Sequence, residues 1–355
     1  MKAVQYYGKE HIQIDDIPEP QLKPGTIKVR PAYTGICGSD LHMYYNGPES
    51  VSGNVPGHPH PISGESIPVV LGHEFSGTVE EIADDVDTDL KVGDHVCIES
   101  MMACGECPSC KAGHYNTCDK VGGIGINGRG GGMSEHVVVE ARFVHGVGDI
   151  PLDQAALLEP FTVAYHAVRR SGAKAGQTAV VGGAGPVGLM LGAVLKAKGL
   201  KVIMSELSEV RKKTAKETGV ADIVVDPSKE DLAARVKAET DGAGADVGFD
   251  ASGAGVVVHQ LIAAVRESAN VMIVAIHVRP LELNVAKELT RTEKNIMTSL
   301  AYCNDHPDSI KLVQDKHIDL SPFITDKIKA EDLVEKGLKQ LRDDGEHHVK
   351  ILVEL

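Results

Sequence analysis

The spacing of apolar positions along the chain changes near residue 159. Before that point, apolar residues fall in short extended runs, such as 27–30 and 78–82, which glycine, proline and aspartate residues interrupt. Short runs between such turn residues are typical of β-strands. We therefore predict an irregular, β-rich domain over residues 1–158.

From residue 159 onward, strand-like runs alternate with helical runs. The strand-like runs are 178–182, 201–205, 222–225, 247–250 and 270–276, and the helical runs between them are 188–198, 209–218, 231–240 and 255–265. This alternation is typical of βαβ units around a parallel sheet. With a last strand near Leu300, it predicts a six-stranded parallel sheet in an α/β domain, whose bounds we set at 159–294.

The tail of the chain, residues 295–355, returns to mixed segments. It ends on an apolar run, 349–353, which predicts a strand that rejoins the first domain. A chain of 355 residues is also longer than the roughly 250 residues at which single cores usually stop growing. Length and pattern therefore both indicate two domains.

The charge balance excludes several classes of partner. The chain contains 50 acidic and 36 basic residues, for a formal charge of −14. Such a surface repels the phosphates of nucleic acids and of anionic lipids. The sequence has no apolar run of the ~20 residues that span a bilayer, and its first residues lack the apolar core of a signal peptide. We expect a cytoplasmic protein that binds neither nucleic acid nor membrane.

Cysteine usage indicates a metal site. Four of the seven cysteines form the pattern C-x2-C-x2-C-x7-C, and an odd total does not suggest a disulfide framework. Four closely spaced thiolates can wrap one tetrahedral ion and leave no open position for a substrate. We predict a structural zinc site, with an iron–sulfur centre or a redox switch as the alternatives. Its ligands would be Cys104, Cys107, Cys110 and Cys118.

A glycine motif opens the helical run after the first strand of the α/β domain. The motif is GxGxxG, formed by Gly183, Gly185 and Gly188, with Pro186 and Val187 between the last two glycines. In this position the first glycine permits a tight turn, the second lets a pyrophosphate approach, and the third allows close packing of the helix. These five residues predict a dinucleotide-binding site.

The next strand-like run ends at an acidic residue. Glu206 lies where dinucleotide-binding domains place the carboxylate that binds the adenosine ribose. A carboxylate there accepts hydrogen bonds from a free 2′-hydroxyl and repels a 2′-phosphate. The sequence therefore predicts NAD over NADP. Arg211 is also predicted at the cofactor, either on the adenine or as a neutralising partner of Glu206.

Residues that can bind metal or transfer protons cluster in the first domain. The segment GICGSDLH contains a thiol at Cys37, a hydroxyl at Ser39, a carboxylate at Asp40 and an imidazole at His42. Each residue alone is weak evidence, since single histidines and acids are usually structural. Their concentration beside a dinucleotide-binding domain favours a catalytic site.

Two further segments carry candidate metal ligands. His73 and Glu74 are adjacent in the sequence GHEFSG, and Glu159 lies in LEP at the start of the α/β domain. Histidine and carboxylate groups are common zinc ligands. A cysteine, a histidine and a carboxylate from distant parts of the chain could therefore share one ion.

Together these motifs resemble those of the zinc-dependent medium-chain alcohol and polyol dehydrogenases. The similarity covers nearly all of the chain. It rests on GICGSDLH (35–42), GHEFSG (72–77), KVGDHV (91–96), the four-cysteine loop, EPFTVAYHAV (159–168) and GGAGPVG (182–188). The insertion at 46–68 resembles the 2,3-butanediol dehydrogenase branch more than plain alcohol or sorbitol dehydrogenases.

The resemblance implies a fold and a metal site. The fold is a Rossmann NAD-binding domain plus a β-rich GroES-like catalytic domain. By the same resemblance, Cys37, His73 and Glu159 bind a catalytic zinc. Asp40 contacts one of these ligands and does not contact the zinc itself. Glu159 stands where classical liver-type enzymes have a cysteine, and Glu74 can exchange with it or with water. Each chain would then hold one catalytic and one structural zinc.

The resemblance also implies a reaction. Zinc makes an alcohol more acidic, NAD takes the hydride, and Ser39 and His42 carry the proton toward solvent, so that Ser39, His42 and Glu74 are the catalytic residues. The expected substrate is a small diol or hydroxyketone: 2,3-butanediol is oxidised to acetoin, and acetoin or diacetyl is reduced. Residues of the 46–68 insertion would form part of the substrate pocket.

Several alternatives remain within and beyond this family. Sorbitol, xylitol or threonine oxidation would use the same site with other polar contacts. A non-catalytic nucleotide-binding protein on the same scaffold would have lost some of these residues, whereas all are present. Members of the family form homodimers or homotetramers, and the run 271–276 is a candidate edge for pairing between copies.

Overall fold

The computed structural model describes residues 1–50 and 57–355. The chain divides into two compact units. The first, here called the terminal unit, contains Met1–Glu159, His306–Gln314 and Asp319–Leu355. The second, the inserted unit, contains Pro160–Asp305 and Asp315–Ile318. Residues 51–56 of the insertion that was assigned to the substrate pocket lie outside the described residues.

The first half of the chain forms most of the terminal unit. Its strands are β1 (Lys2–Gly8), β2 (His11–Asp16), β3 (Thr26–Gly35), β4 (Val69–Val70), β5 (Glu74–Ile82), β6 (His95–Ile98), β7 (Val137–Glu140) and β8 (Val144–Gly146). Its helices are α1 (Gly38–Asn46), α2 (Pro108–Lys111) and α3 (Leu152–Ala155), with 3-10 turns at Pro48–Ser50, Tyr115–Thr117 and Ala141–Phe143. The next helix, α4 (Leu158–Ser171), begins in the terminal unit, and its residues from Pro160 onward belong to the inserted unit.

The inserted unit alternates strands with helices. In order these are β9 (Thr178–Gly182), α5 (Pro186–Ala197), β10 (Lys201–Ser205), α6 (Glu209–Glu217), β11 (Ile223–Val225), α7 (Leu232–Ala238), β12 (Ala245–Asp250), α8 (Gly255–Ala264), β13 (Val265–Ile273), α9 (Val285–Glu288) and β14 (Asn295–Thr298). A 3-10 turn covers Thr290–Thr292.

The remaining elements follow toward the C-terminal end. They are α10 (His306–Lys316), β15 (Ile324–Lys329), a π-helical segment at Leu333–Leu338, α11 (Lys339–Asp343) and β16 (Lys350–Glu354), with 3-10 turns at Ser321–Phe323 and Ala330–Asp332.

Two sheets form the terminal unit. The smaller has the order β2-β1-β4, and the larger has the order β15-β16-β3-β5-β6-β8, with β7 also paired to β3. In the larger sheet, β16 runs parallel to β15 and antiparallel to β3. Apolar residues of β1, α1 and β16 share one core, in which Tyr6, Met43 and Ile351 are buried. The last strand of the chain is thus held inside the sheet that the first strands build.

A six-stranded parallel sheet forms the inserted unit. Its order is β11-β10-β9-β12-β13-β14. The order reverses at β9 and β12, which is the point where sheets of this kind bind ligands beyond the carboxyl ends of the strands. The predicted fold class, a six-stranded parallel α/β domain plus a β-rich domain, is confirmed.

The predicted last strand near Leu300 is β14, which pairs in parallel with β13. Two details of the sequence interpretation differ from the structure. The inserted unit continues through Asp305, beyond the predicted bound at 294. The run 271–276 is not a free edge, because β13 has β12 on one side and β14 on the other. β14 is short and contains only two apolar residues, Ile296 and Met297, so its apolar pattern is weak.

Within the described residues, every helix is too short or too polar to cross a bilayer.

Candidate functional site

Cys37 is positioned by the start of α1. It is the N-cap residue of this helix, and its backbone N–H donates to the Asp40 carboxylate at 2.8 Å. The Cys37 side chain in turn accepts from the backbone N–H of Asp40, which completes a reciprocal capping arrangement. The thiol is therefore held in place by the helix terminus rather than by a mobile loop.

His73 and Glu74 enter the same region from the start of β5. In the larger sheet Glu74 lies opposite Gly35. A Cβ atom at Gly35 would lie 2.3 Å from Oε2 of Glu74, so only glycine leaves room for this carboxylate. The backbone carbonyl of His73 accepts a hydrogen bond from the Ser100 hydroxyl, which fixes the chain at the imidazole.

The structure brings three of these side chains together. Ligand atoms of Cys37, His73 and Glu74 all lie within 4.8 Å of one another. Among the described residues, Glu159 is not part of this compact set, although it is buried in the first turn of α4. The compact set therefore contains Glu74, whereas the resemblance implied Glu159 as the carboxylate ligand.

A buried lysine explains the present position of Glu74. The Lys350 ammonium, on β16, donates to both carboxylate oxygens of Glu74 at 2.5 Å and to the carbonyl of Ile36 at 3.2 Å. Burial favours the neutral amine, but the Glu74 carboxylate holds the pKa of Lys350 above its ordinary value. The sequence analysis did not identify Lys350 as a site residue. The feature that could have indicated it is a lysine inside the apolar run 349–353.

The three side chains fit a zinc ion. The Nδ1 atom of His73 and the Oδ1 atom of Asp40 are buried without a hydrogen-bond partner and lie 3.6 Å apart. Burial opposes a charged imidazole, yet Asp40, Cys37 and Glu159 raise the pKa of His73 to about 10. A site in which thiol and carboxylate groups surround an imidazole attracts a cation, and sulfur, nitrogen and oxygen are all zinc ligands.

The predicted proton-transfer residues lie on one face of α1. Ser39 Oγ is 3.1 Å from Nε2 of His73, so its hydroxyl lies at the candidate metal site. His42 follows one turn later and is exposed to solvent. Its Nδ1 lies 3.3 Å from the side-chain Nδ2 of Asn46. The helix thus presents a hydroxyl at the buried site and an imidazole at the surface.

The four-cysteine loop forms a second, separate cluster. All four Sγ atoms lie within 4.8 Å of one another, with 3.4 Å between Cys104 and Cys118 and 4.0 Å between Cys104 and Cys110. All seven cysteines of the chain are free thiols. Sulfur atoms around a tetrahedral zinc are about 3.8 Å apart when the Zn–S bond is about 2.3 Å. The spacing therefore fits zinc and excludes a disulfide.

The charge balance of the cysteine loop also favours a cation. Backbone N–H donation, chiefly from Cys110, lowers the pKa of Cys107 to about 6. Burial and the neighbouring thiols raise the pKa of Cys110 to about 12. Without a cation the four sulfurs cannot all ionise, whereas a bound metal would stabilise all four thiolates.

The glycine motif follows β9 as predicted. Gly183 has a φ of +100°, and a Cβ at Gly188 would lie 2.0 Å from the Gly183 carbonyl oxygen. A Cβ at Gly185, by contrast, would meet no atom within 4 Å. Pro186 and Val187 begin α5, whose N-cap has no side-chain hydrogen bond. The loop is therefore closely packed at Gly188 and leaves open space at Gly185. This arrangement fits a pyrophosphate at the helix N-terminus.

Glu206 lies directly beside this loop. Its Oε2 accepts from the N–H of Ala184 at 2.7 Å, and its Oε1 accepts from Leu207 and Ser208 at 2.8 and 2.9 Å. The backbone thus orients the carboxylate at the carboxyl end of β10. Arg211 lies in the first turn of α6, and its N–H donates to Ser208 Oγ at 3.4 Å.

Comparisons with known proteins agree with this geometry. Residues 23–149 match the family described as alcohol dehydrogenase GroES-like domain, and residues 186–315 match the family described as zinc-binding dehydrogenase. The chain is 48% identical over 354 residues to an (R,R)-butanediol dehydrogenase of Neisseria gonorrhoeae, with 99% of both chains covered. It is 37% identical over 355 residues to an (R,R)-butanediol dehydrogenase of Bacillus subtilis, again with 99% of both covered.

A solved structure shares the whole fold. The crystal structure of 2R,3R-butanediol dehydrogenase from Bacillus subtilis has a TM-score of 0.90 and 35% identity to this chain, and the match covers 100% of this chain and 99% of the other. The predicted family is therefore confirmed. With the donor set at Cys37, the four-cysteine loop and the open glycine loop, the similarity supports an enzyme that uses zinc and a nicotinamide cofactor. The chain belongs to the zinc-binding alcohol dehydrogenase family.

Proposed function

We propose that the protein is an NAD-dependent zinc dehydrogenase that interconverts 2,3-butanediol and acetoin and also reduces diacetyl. The observation that carries this proposal is the close grouping of the half-buried Cys37 with the buried His73 and Glu74, beside Ser39. The relatives, which are (R,R)-butanediol dehydrogenases, supply the substrate class. A small diol or hydroxyketone is accordingly the proposed partner.

The metal would be held by Cys37, His73 and one carboxylate, either Glu159 or Glu74. Zinc bound there supplies a Lewis acid that makes an alcohol hydroxyl far more acidic, and NAD supplies the hydride acceptor. The Asp40 carboxylate attracts the His73 imidazole electrostatically, since its Oδ1 lies 3.6 Å from Nδ1 of the ring. Lys350 holds Glu74 in place through both of its carboxylate oxygens.

The chain's own proton path begins at Ser39. Its hydroxyl lies 3.1 Å from His73 Nε2, where it can accept a proton from the substrate hydroxyl. His42, exposed one helical turn later, can release a proton to water. Because Cys37 is the N-cap of α1, the helix holds Ser39 and His42 at defined positions relative to the metal ligands.

The proposed cofactor preference rests on Glu206. Its carboxylate is held by three backbone N–H groups beside the glycine loop, where it would bind the ribose hydroxyls and repel a 2′-phosphate. Gly183, Gly185 and Gly188, with Pro186 and Val187, would cradle the pyrophosphate, and Arg211 would contact the adenosine end.

The Glu206→Ala variant is expected to lose discrimination between the two cofactors. One charge-assisted hydrogen bond contributes about 1.5–3 kcal/mol, so the ratio of kcat/KM for NAD to that for NADP should fall about 10- to 100-fold. Steady-state rates with both cofactors measure this ratio. Glu209→Ala, which removes an exposed carboxylate from the same helix region, should leave it unchanged. An unaltered ratio in Glu206→Ala would assign the preference to Arg211 or another residue.

Further features of the proposal concern metal content, location and assembly. Cys104, Cys107, Cys110 and Cys118 would hold a structural zinc in addition to the catalytic one. Seven free thiols suit the reducing conditions of the cytoplasm. A homodimer or homotetramer is the proposed assembly, and β11 and β14 are the two edge strands of the inserted sheet in the described residues.

Initial rates on a substrate panel test the proposed reaction. The panel contains the three butanediol stereoisomers, acetoin, sorbitol, xylitol, threonine and ethanol, each with both cofactors. We expect the highest kcat/KM for (R,R)-butanediol with NAD, and rapid reduction of acetoin with NADH. A higher kcat/KM for sorbitol, xylitol or threonine would contradict the butanediol assignment. Binding of NADH without turnover of any alcohol would support a non-catalytic nucleotide-binding protein instead.

A further inference from the structure

The terminal unit contains a third cluster of metal-ligating side chains. Glu99 directly follows β6, His145 is the central residue of β8, and His306 is the first residue of α10. One ligand atom from each lies within 4.8 Å of the others. None of these residues belongs to the Cys37 site or to the four-cysteine loop, and the proposed dehydrogenase reaction does not use them.

The distances within this cluster suit a small metal ion. Oε2 of Glu99 lies 3.0 Å from Nε2 of His145 and 3.5 Å from Nδ1 of His306. Tetrahedral zinc with bonds of about 2.0–2.1 Å to nitrogen and oxygen separates its ligand atoms by about 3.3 Å. The two imidazole rings are stacked, with centroids 5.0 Å apart and planes at 7°. One ring would rotate about its Cβ–Cγ bond so that both lone pairs meet one ion.

The carboxylate of this cluster is buried, and a buried carboxylate is stabilised by positive charge nearby. Glu99 is 2% exposed and His306 is 0% exposed. The Oε2 atom of Glu99 is within hydrogen-bond distance of Nε2 of His145. The Tyr115 hydroxyl donates to the other oxygen, Oε1, so Oε2 is the atom that faces both imidazoles. A buried anion of this kind needs a cation nearby.

We propose that Glu99, His145 and His306 form a third metal site, which takes a divalent zinc-type ion. Two imidazoles and one carboxylate favour zinc or a similar transition metal over magnesium or calcium, which prefer oxygen ligands. The side chain of His145 is 15% exposed and offers the route of entry. This inference does not depend on the butanediol assignment.

A metal here would tie together segments that are far apart in the sequence. It would join the end of β6, the middle of β8 and the start of α10. Tyr115, which contacts Glu99, lies within the loop between Cys110 and Cys118. The third site would therefore brace the four-cysteine loop against the returning part of the chain, as a structural metal does.

Metal counting on the full-length protein tests the proposal. The protein is dialysed with excess zinc, freed of unbound metal by gel filtration, and analysed by mass spectrometry for zinc per chain. The wild type is expected to hold about three zinc ions, and His306→Gln and His145→Gln one fewer each, because a site that loses one of three ligands loses affinity. Cys107→Ser should also lower the count by one, through the separate cysteine loop.

His136 provides the matched control. Its Nδ1 lies 2.6 Å from Glu80 in the same unit, but this pair is not part of any three-ligand cluster in the described residues. His136→Gln should leave the zinc count at the wild-type value. The proposal is overturned if the wild type holds no more than two zinc ions under excess zinc. It is equally overturned if both His145→Gln and His306→Gln retain the wild-type count, which would mean a metal-free hydrogen-bonded cluster. If His306→Gln does not fold, the count for His145→Gln decides.

Discussion

Replacing Cys37 with serine is expected to abolish turnover while NADH binding remains nearly intact. Losing a group that only supports a zinc ligand lowers metal affinity or activity about 10- to 100-fold, so losing a ligand itself should lower kcat by more than 100-fold. The dinucleotide loop at Gly183 belongs to the inserted unit and does not depend on this thiol. Steady-state rates measure kcat, and fluorescence titration measures the Kd for NADH.

Cys303→Ser is the matched control for this experiment. Cys303 is a buried thiol that belongs to none of the metal-ligating clusters in the described chain. Its replacement should preserve kcat within a few-fold. Full activity of Cys37→Ser would remove Cys37 from the catalytic site, and loss of NADH binding in the same variant would show that the substitution disrupts more than the metal centre.

The Lys350→Met variant is expected to lower the free energy of unfolding by about 3–5 kcal/mol. The substitution leaves the Glu74 carboxylate, which is 1% exposed, without the ammonium that now contacts both of its oxygens. Removing one partner of a buried ion pair leaves an unpaired charge in an environment of low polarity, which destabilises the folded state. Unfolding in urea, followed by far-UV circular dichroism, measures the change.

Two further variants separate charge from packing at this pair. Lys350→Arg retains a cation and should lose less stability than Lys350→Met. Adding Glu74→Gln to Lys350→Met removes the unpaired charge and should recover most of the lost stability. If the double variant is no more stable than Lys350→Met, the loss comes from packing at β16, and the buried ion pair is not the cause.

Local sequence patterns predicted much of the fold and of the site. The four-cysteine loop and the glycine motif are each contained in a few residues, so their spacing alone constrains their geometry. The βαβ alternation predicted the inserted sheet for the same reason, since each strand and helix carries its own pattern. The last strand was predicted only as lying near Leu300, because β14 is short and its apolar signal is weak.

The remaining features depend on contacts between distant residues. Lys350 meets Glu74 across 276 positions of the chain, and no local pattern reports that pairing. Glu99, His145 and His306 are each unremarkable in their own segments, and only the fold brings them together. The same is true of Glu74 and Glu159: the sequence offered both as zinc ligands, and only the arrangement of β3, β5 and β16 shows that a carboxylate oxygen of Glu74 lies within 4.8 Å of ligand atoms of Cys37 and His73.

Anomalous diffraction at the zinc absorption edge tests the central claim most directly. Crystals of the zinc-loaded protein should give an anomalous peak about 2.0–2.3 Å from Cys37 Sγ and from His73 Nε2, with a carboxylate oxygen of Glu159 or Glu74 completing the protein ligands. A difference map with no zinc peak beside Cys37 and His73, in crystals that show zinc at the four-cysteine loop, would contradict it.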